Sequence, residues 1–266
     1  VSVFLMFLST FTMFMSGLVA NFEYDLKKIV ALSTLSQLGV MMFSISLGFY
    51  DLAFFHLITH ALFKAMLFLC AGVLIHGVGG SQDIRLTGGL IKNFPLVGVC
   101  LNLANLSLCG LPFMSGFYSK DLIVETAAQG YWSQLIILVL FVSLGLTVSY
   151  SVRFVLLAFV SWNSGLVSLF SCDQDYLMLK PICNLTLFAL LSGASLSWLL
   201  FPFPTLVFLP TNLKLLPLVI ISMSVVISLA LSNKGLTVSH GENSLSWFVG
   251  SMGFLPFLSG QLLPNK

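Results

Sequence analysis

Three ionisable side chains recur at every fourth position in His56-Leu-Ile-Thr-His60-Ala-Leu-Phe-Lys64. On a helix, positions i, i+4 and i+8 share one face, and the two steps advance about 12 Å along the axis. The run that holds them, residues 52–76, carries no other lysine and no arginine or carboxylate. Lys64 falls about 18 Å along that run from Leu52, close to the middle of a hydrocarbon core roughly 30 Å thick. A charged lysine at such a depth costs about 3 kcal/mol on insertion scales, and its amine is too deep to reach either surface comfortably. It needs an internal water chain or an acidic partner. Histidine exchanges protons near neutral pH and alternates between donor and acceptor, so the row suits a proton relay. The competing reading is that the same groups are hydrogen-bond glue between helices. Histidines four residues apart can also chelate a metal, but no carboxylate or thiol joins the pair and the pattern is not HExxH, so no metal is expected.

Lys120 and Asp121 form a second constellation, with Glu125 one helical turn beyond Asp121. Opposite charges in adjacent positions can neutralise each other while one amine stays open to proton exchange. They follow Cys109-Gly-Leu-Pro-Phe-Met-Ser-Gly116, inside an apolar stretch over residues 94–129. As one helix that stretch would run about 54 Å, far more than a bilayer needs. Pro112 removes a backbone donor, and Gly110 and Gly116 loosen the chain, which predicts a break. Backbone broken at membrane depth is tolerated only where it faces protein or water. The alternative is a span that ends at Leu111, with residues 117–129 lying along the interface. Ser33, Thr34, Ser36 and Gln37 in the preceding apolar run either line a water path or hold helices together.

Elements able to position these groups follow from composition. Of 266 residues, 58% are hydrophobic and 8% charged, with a net charge of +2. A soluble domain carries about a quarter charged residues to keep its surface wetted. This excludes a soluble protein, a disordered chain and a nucleic-acid binder built on a basic patch. No period-2 polar alternation supports a β-barrel. The expected fold is an all-α integral membrane protein of about seven transmembrane helices, one of them discontinuous, over residues 1–22, 29–50, 52–76, 94–129, 131–160, 182–201 and 215–232. Residues 1–20 lack the basic flank of a cleavable signal. Tyr131 and Trp132 suit an interface anchor. The five cysteines form no CxxC pair and read as packing residues. Lys27, Lys28, Arg85, Lys92, Arg153, Lys180, Lys234 and Lys266 fall on one side under this parity, against Lys214 on the other. That side is therefore the positive compartment. No phosphate loop, catalytic triad, dinucleotide fingerprint or iron–sulfur motif is present, so no redox cofactor is expected in this chain.

Four segments, taken together, resemble the antiporter-like subunits of respiratory complex I, the NADH:ubiquinone oxidoreductase. They are Asp25-Leu-Lys-Lys-Ile-Val-Ala-Leu-Ser-Thr-Leu-Ser-Gln-Leu-Gly39, the His56–His60–Lys64 row, Ser81-Gln-Asp-Ile-Arg-Leu-Thr-Gly-Gly-Leu90, and Gly110-Leu-Pro-Phe-Met-Ser-Gly-Phe-Tyr-Ser-Lys-Asp121. The likeness is specific over about residues 20–130 and topological over 131–266. Such subunits contain two inverted five-helix repeats, each with a broken helix. The resemblance implies that residues 1–160 correspond to the second, proton-translocating repeat, that 161–232 add two further transmembrane helices, and that 233–266 form a matrix-side tail. It places His56, His60 and Lys64 on a central hydrophilic axis. Lys120 becomes the broken-helix lysine of the exit half-channel, beside Asp121, with the break inside the membrane. The positive side becomes the matrix side of the mitochondrial inner membrane. The function implied is proton transfer from matrix to intermembrane space, driven by quinone reduction elsewhere in the complex. NADH, FMN, iron–sulfur clusters and ubiquinone would belong to partner subunits. The partners would be other membrane-arm subunits, accessory subunits and lipids. The family's first repeat, its lateral helix and its last anchoring span have no counterpart in the sequence, so the resemblance implies a C-terminal portion that should not pump alone. Two rivals remain at this point: a subunit of a multisubunit cation/proton antiporter, and a membrane-arm element that only supports its neighbours.

Overall fold

A computed structural model describes residues 1–85, 87–130, 134–160, 176–203, 207–235 and 248–253. Its helices are α1 (Ser2–Phe22), α2 (Leu26–Ser46), α3 (Tyr50–Gly77), α4 (Pro95–Cys109), α5 (Leu122–Gln129), α6 (Gln134–Val155), α7 (Tyr176–Leu200) and α8 (Thr211–Gly235). In apolar surroundings every backbone polar group must be paired within its own segment, which selects helix for these runs. Their serines and threonines fit because the hydroxyls bond back to carbonyls one turn earlier, as Ser9 does to Met6 and Ser143 to Leu140. α4 starts on Pro95, where the missing N–H costs nothing.

Six helices are long and apolar enough to cross a membrane: α1, α2, α3, the stretch Gln134–Val160 that contains α6, α7 and α8. α4, at 15 residues, reaches only about 22 Å. With α5 it forms the discontinuous stretch expected over residues 94–129, two helices separated by a break. The last two spans begin earlier than residues 182 and 215. α7 and α8 start at Tyr176 and Thr211 and keep Pro181 and Pro217 inside. Near a helix start a proline forfeits one backbone bond without ending the helix. Tyr131, Trp132, Lys266 and most of the two expected connecting and tail segments lie outside the described residues.

α1 packs on α2 and α6, α3 on α2, α4 and α7, and α8 on α6. The largest apolar core joins Phe63, Met66 and Leu74 of α3 to Leu101 and Leu108 of α4 and to Phe154 and Phe159. Outward faces such as Phe4, Phe7 and Phe11 of α1, or Leu187, Leu191 and Trp198 of α7, are exposed and apolar, which suits lipid and not water.

One end of the bundle is tied by charge. The Tyr24 ring lies 4.1 Å from the Arg85 guanidinium and 4.7 Å from that of Arg153. Arg153 also donates to the carbonyls of Asn21 and Glu23, and Leu26 N–H donates to Gln82 O over 2.9 Å. The connections after α1 and after α3 therefore meet the end of α6 at a single end of the molecule. The basic-residue parity in the sequence requires this arrangement.

Candidate functional site

α3 brings its three predicted groups onto one buried face. Four-residue spacing leaves the His56 and His60 ring centroids 6.0 Å apart, with Lys64 a turn further on. His56 is fully buried, and Lys64 is 4% exposed. The facing helix is α2. Ser33 Oγ accepts a hydrogen bond from Lys64 Nζ, and Gln37 Oε1 lies 3.3 Å from His56 Nε2. On its other side His56 Nδ1 meets Ser119 Oγ at 2.9 Å, and Ser119 Oγ in turn accepts from Thr59 at 3.1 Å. Both ring nitrogens of His56 therefore face hydrogen-bonding side chains, one on each side. The Tyr150 hydroxyl of α6 is buried near Ser36, Gln37 and Ser33 and has no hydrogen-bond partner among the described residues. His60 Nε2, buried beside the Phe63 ring, has no hydrogen-bond partner among the described residues. Buried polar atoms of this kind are where internal water binds.

The second half of the site is made by breaking a helix. α4 stops at Cys109 because Gly110 takes φ +80°, a left-handed geometry that glycine adopts at little cost. Phe113, exposed and also left-handed at φ +69°, continues the turn. Gly116 then passes so close to the end of α4 that a Cβ there would stand 1.8 Å from Ser107 O. Beyond it, Phe117–Asp121 forms one wide π-helical turn before α5, an insertion that re-aims side chains and recurs at functional sites. Ser119, Lys120 and Asp121 are consecutively buried as a result. Lys120 Nζ donates to Thr147 Oγ1 at 3.0 Å and to Leu108 O at 3.3 Å. Leu108 lies in the last turn of α4, where carbonyls have no partner of their own and the helix dipole is negative, so the break itself supplies an acceptor for a cation.

Thr147 stands midway along the apolar stretch Gln134–Val160. The broken segment thus lies level with the middle of a stretch long and apolar enough to cross a membrane. Of the two supports expected for Lys64, no acidic partner is found among the described residues, and a serine hydroxyl lies against the amine. One expectation needs correction. Lys120 and Asp121 form no direct ion pair among the described residues, although both side chains lie beside Gly110. All five predicted groups (His56, His60, Lys64, Lys120 and Asp121) are buried in the bundle. The sequence reading missed Thr59, Ser119, Thr147 and Tyr150. Ser119 had a signal in its adjacency to Lys120, and Thr59 in its place between the two histidines. Thr147 and Tyr150 look like ordinary residues of an apolar helix.

A multi-pass helical membrane protein with one discontinuous span and a buried polar row is the class this fold defines. Residues 1–147 match the family described as NADH:quinone oxidoreductase/Mrp antiporter, TM, and the chain belongs to that family. Residues 150–266 match the NADH dehydrogenase subunit 5 C-terminus, so the likeness beyond residue 131 extends past topology to sequence. Among its relatives, NADH-ubiquinone oxidoreductase chain 5 of Anopheles gambiae is 50% identical over 264 residues, covering 96% of this chain and 45% of that protein. The protein of the same name from Locusta migratoria is 47% identical over 261 residues (96% and 45%), and that of Papio hamadryas 36% over 266 (97% and 43%). The chain thus spans less than half the length of these curated relatives.

Proposed function

We propose that this chain carries part of the proton path of a membrane-arm subunit of NADH:ubiquinone oxidoreductase, in the mitochondrial inner membrane. Lys64 and Lys120 hold exchangeable protons at the two ends of a polar chain. His60 and His56, with Ser119, Gln37 and ordered water, hand protons between them. Asp121 sets the charge at the Lys120 end. Net transfer runs from the matrix side, where the Tyr24 clasp and the basic loops lie, to the opposite face. Redox chemistry belongs to partner subunits that hold NADH, FMN, iron–sulfur clusters and ubiquinone, and this chain responds to charge changes that reach it along the membrane arm.

One observation supports this reading above the others: hydrogen bonds join His56 of an unbroken helix to Ser119, the neighbour of Lys120 on a broken one, level with the middle of membrane-length helices. A scaffold needs no such link between two buried cations. The family description over residues 1–147 also names antiporters of the Mrp type, which keeps cation/proton exchange as a second reading. The subunit 5 likeness of residues 150–266 favours the respiratory complex. The test places Lys64→Met and Lys120→Met separately in the full-length chain of an assembled complex. Each should lower proton pumping per NADH oxidised by more than about tenfold along this path. Unchanged pumping in both would leave only the supporting role.

A further inference from the structure

α7 lies outside the five-helix unit that holds every group of the relay, yet it packs directly on the wide turn at Phe117–Asp121. The crossing is made at Gly193. A Cβ built there would stand 2.5 Å from Ser115 Cα and 3.0 Å from both Ser115 O and Tyr118 Cδ2. Two of these three atoms are backbone, which cannot swing aside as a side chain can. Real carbon–carbon contacts fall near 3.5–4.0 Å, so a single added methyl forces the broken segment away from α7 by about 1 Å. Hydrogen bonds do not hold this contact. Ser115 Oγ and Ser192 Oγ, buried here, have no hydrogen-bond partner among the described residues. Fit alone sets the distance between α7 and the segment.

That distance reaches the relay in two steps. Ser119 sits one turn beyond Ser115 in the same segment, its Oγ 3.4 Å from Ser115 O, so the hydroxyl moves with the residue Gly193 touches. The same hydroxyl holds His56 at 2.9 Å. A shift of about 1 Å takes the His56 contact past any useful hydrogen-bond length. We propose that Gly193 is a positioning residue for the relay: its bare backbone lets α7 press the broken segment into the register that joins Ser119 to His56. This rests on the proton-path reading above and adds to it that a helix outside the repeat sets the repeat's geometry.

The test uses the full-length chain in the assembled complex. Gly193→Ala should keep assembly while slowing proton pumping per NADH by about five- to tenfold, the effect of one lost hydrogen bond at a transfer step. Ser119→Ala removes the same link directly and should give a similar loss. The double variant should be no slower than the slower single one, because both changes cut one connection. Gly98→Ala, whose added Cβ meets Phe159 in a crossing away from the relay, should leave pumping unchanged. Should Gly193→Ala fail to assemble, Tyr118→Leu loosens the same crossing without adding an atom there, and the same non-additivity with Ser119→Ala is expected. Losses that multiply in the double variant, or normal pumping in Gly193→Ala or Tyr118→Leu while Ser119→Ala is slow, would overturn the positioning role. Normal pumping in Ser119→Ala, Lys64→Met and Lys120→Met alike would instead overturn the proton-path reading beneath it.

Discussion

α3 and the broken segment over residues 110–129 each deliver a lysine to the centre of the bundle, by opposite means. In α3 the backbone is continuous, so every carbonyl near Lys64 is already bonded within the helix, and the amine must find a side chain. It finds one, Ser33 of α2. In the broken segment the helix stops at Cys109 and leaves carbonyls free, and Lys120 takes one of them, Leu108 O, together with Thr147. An intact helix makes its buried cation depend on one replaceable hydroxyl. A broken helix solvates its cation with backbone that no side-chain substitution removes.

The break itself is the first point at which this contrast can be attacked. Gly116→Ala sets a Cβ against Ser107 O, and neither backbone can yield without undoing the turn. The expected cost is more than about 4 kcal/mol, seen as loss of assembled complex on native gels. Normal assembly would show that the break tolerates crowding and that the close approach is not required. Next comes the asymmetry between the lysines. Ser33→Ala leaves Lys64 without its hydroxyl and should cut pumping per NADH about tenfold, whereas Thr147→Val leaves Leu108 O in place and should cut it about threefold. Equal losses would erase the distinction between backbone and side-chain solvation. An effect on stability, separate from pumping, is expected at Gly110, where alanine must adopt φ +80°. A loss of about 1–2 kcal/mol, read as a few degrees in the unfolding temperature of the complex, fits a strained but intact cap.

The helical bundle and most of the α3 half were legible in the sequence for a physical reason. Every fourth residue on a helix shares a face, so His56, His60 and Lys64 had to line up once the run was apolar enough to be helical. The same logic placed the breakage near Pro112, since proline and two glycines cannot continue a buried helix without cost. What could not be read were distances between helices. Nothing in the letters says that Ser119 meets His56 or that Thr147 meets Lys120, because those contacts depend on how α6 and the π-helical turn are rotated. That Lys120 and Asp121 share the space beside Gly110 without a direct ion pair also depends on that rotation. Likewise Gly193 is one glycine among 21, and only the position of Ser115 gives it meaning.

The Tyr24 clasp has a mechanical consequence. With Arg85 and Arg153 on one aromatic ring, and Arg153 gripping two carbonyls at the end of α1, three parts of the chain cannot tilt independently at that end. Any rocking of α1, α3 or α6 must hinge there, and its swing must grow with distance from the ring. The far end of the bundle is then where a small rotation yields the widest opening.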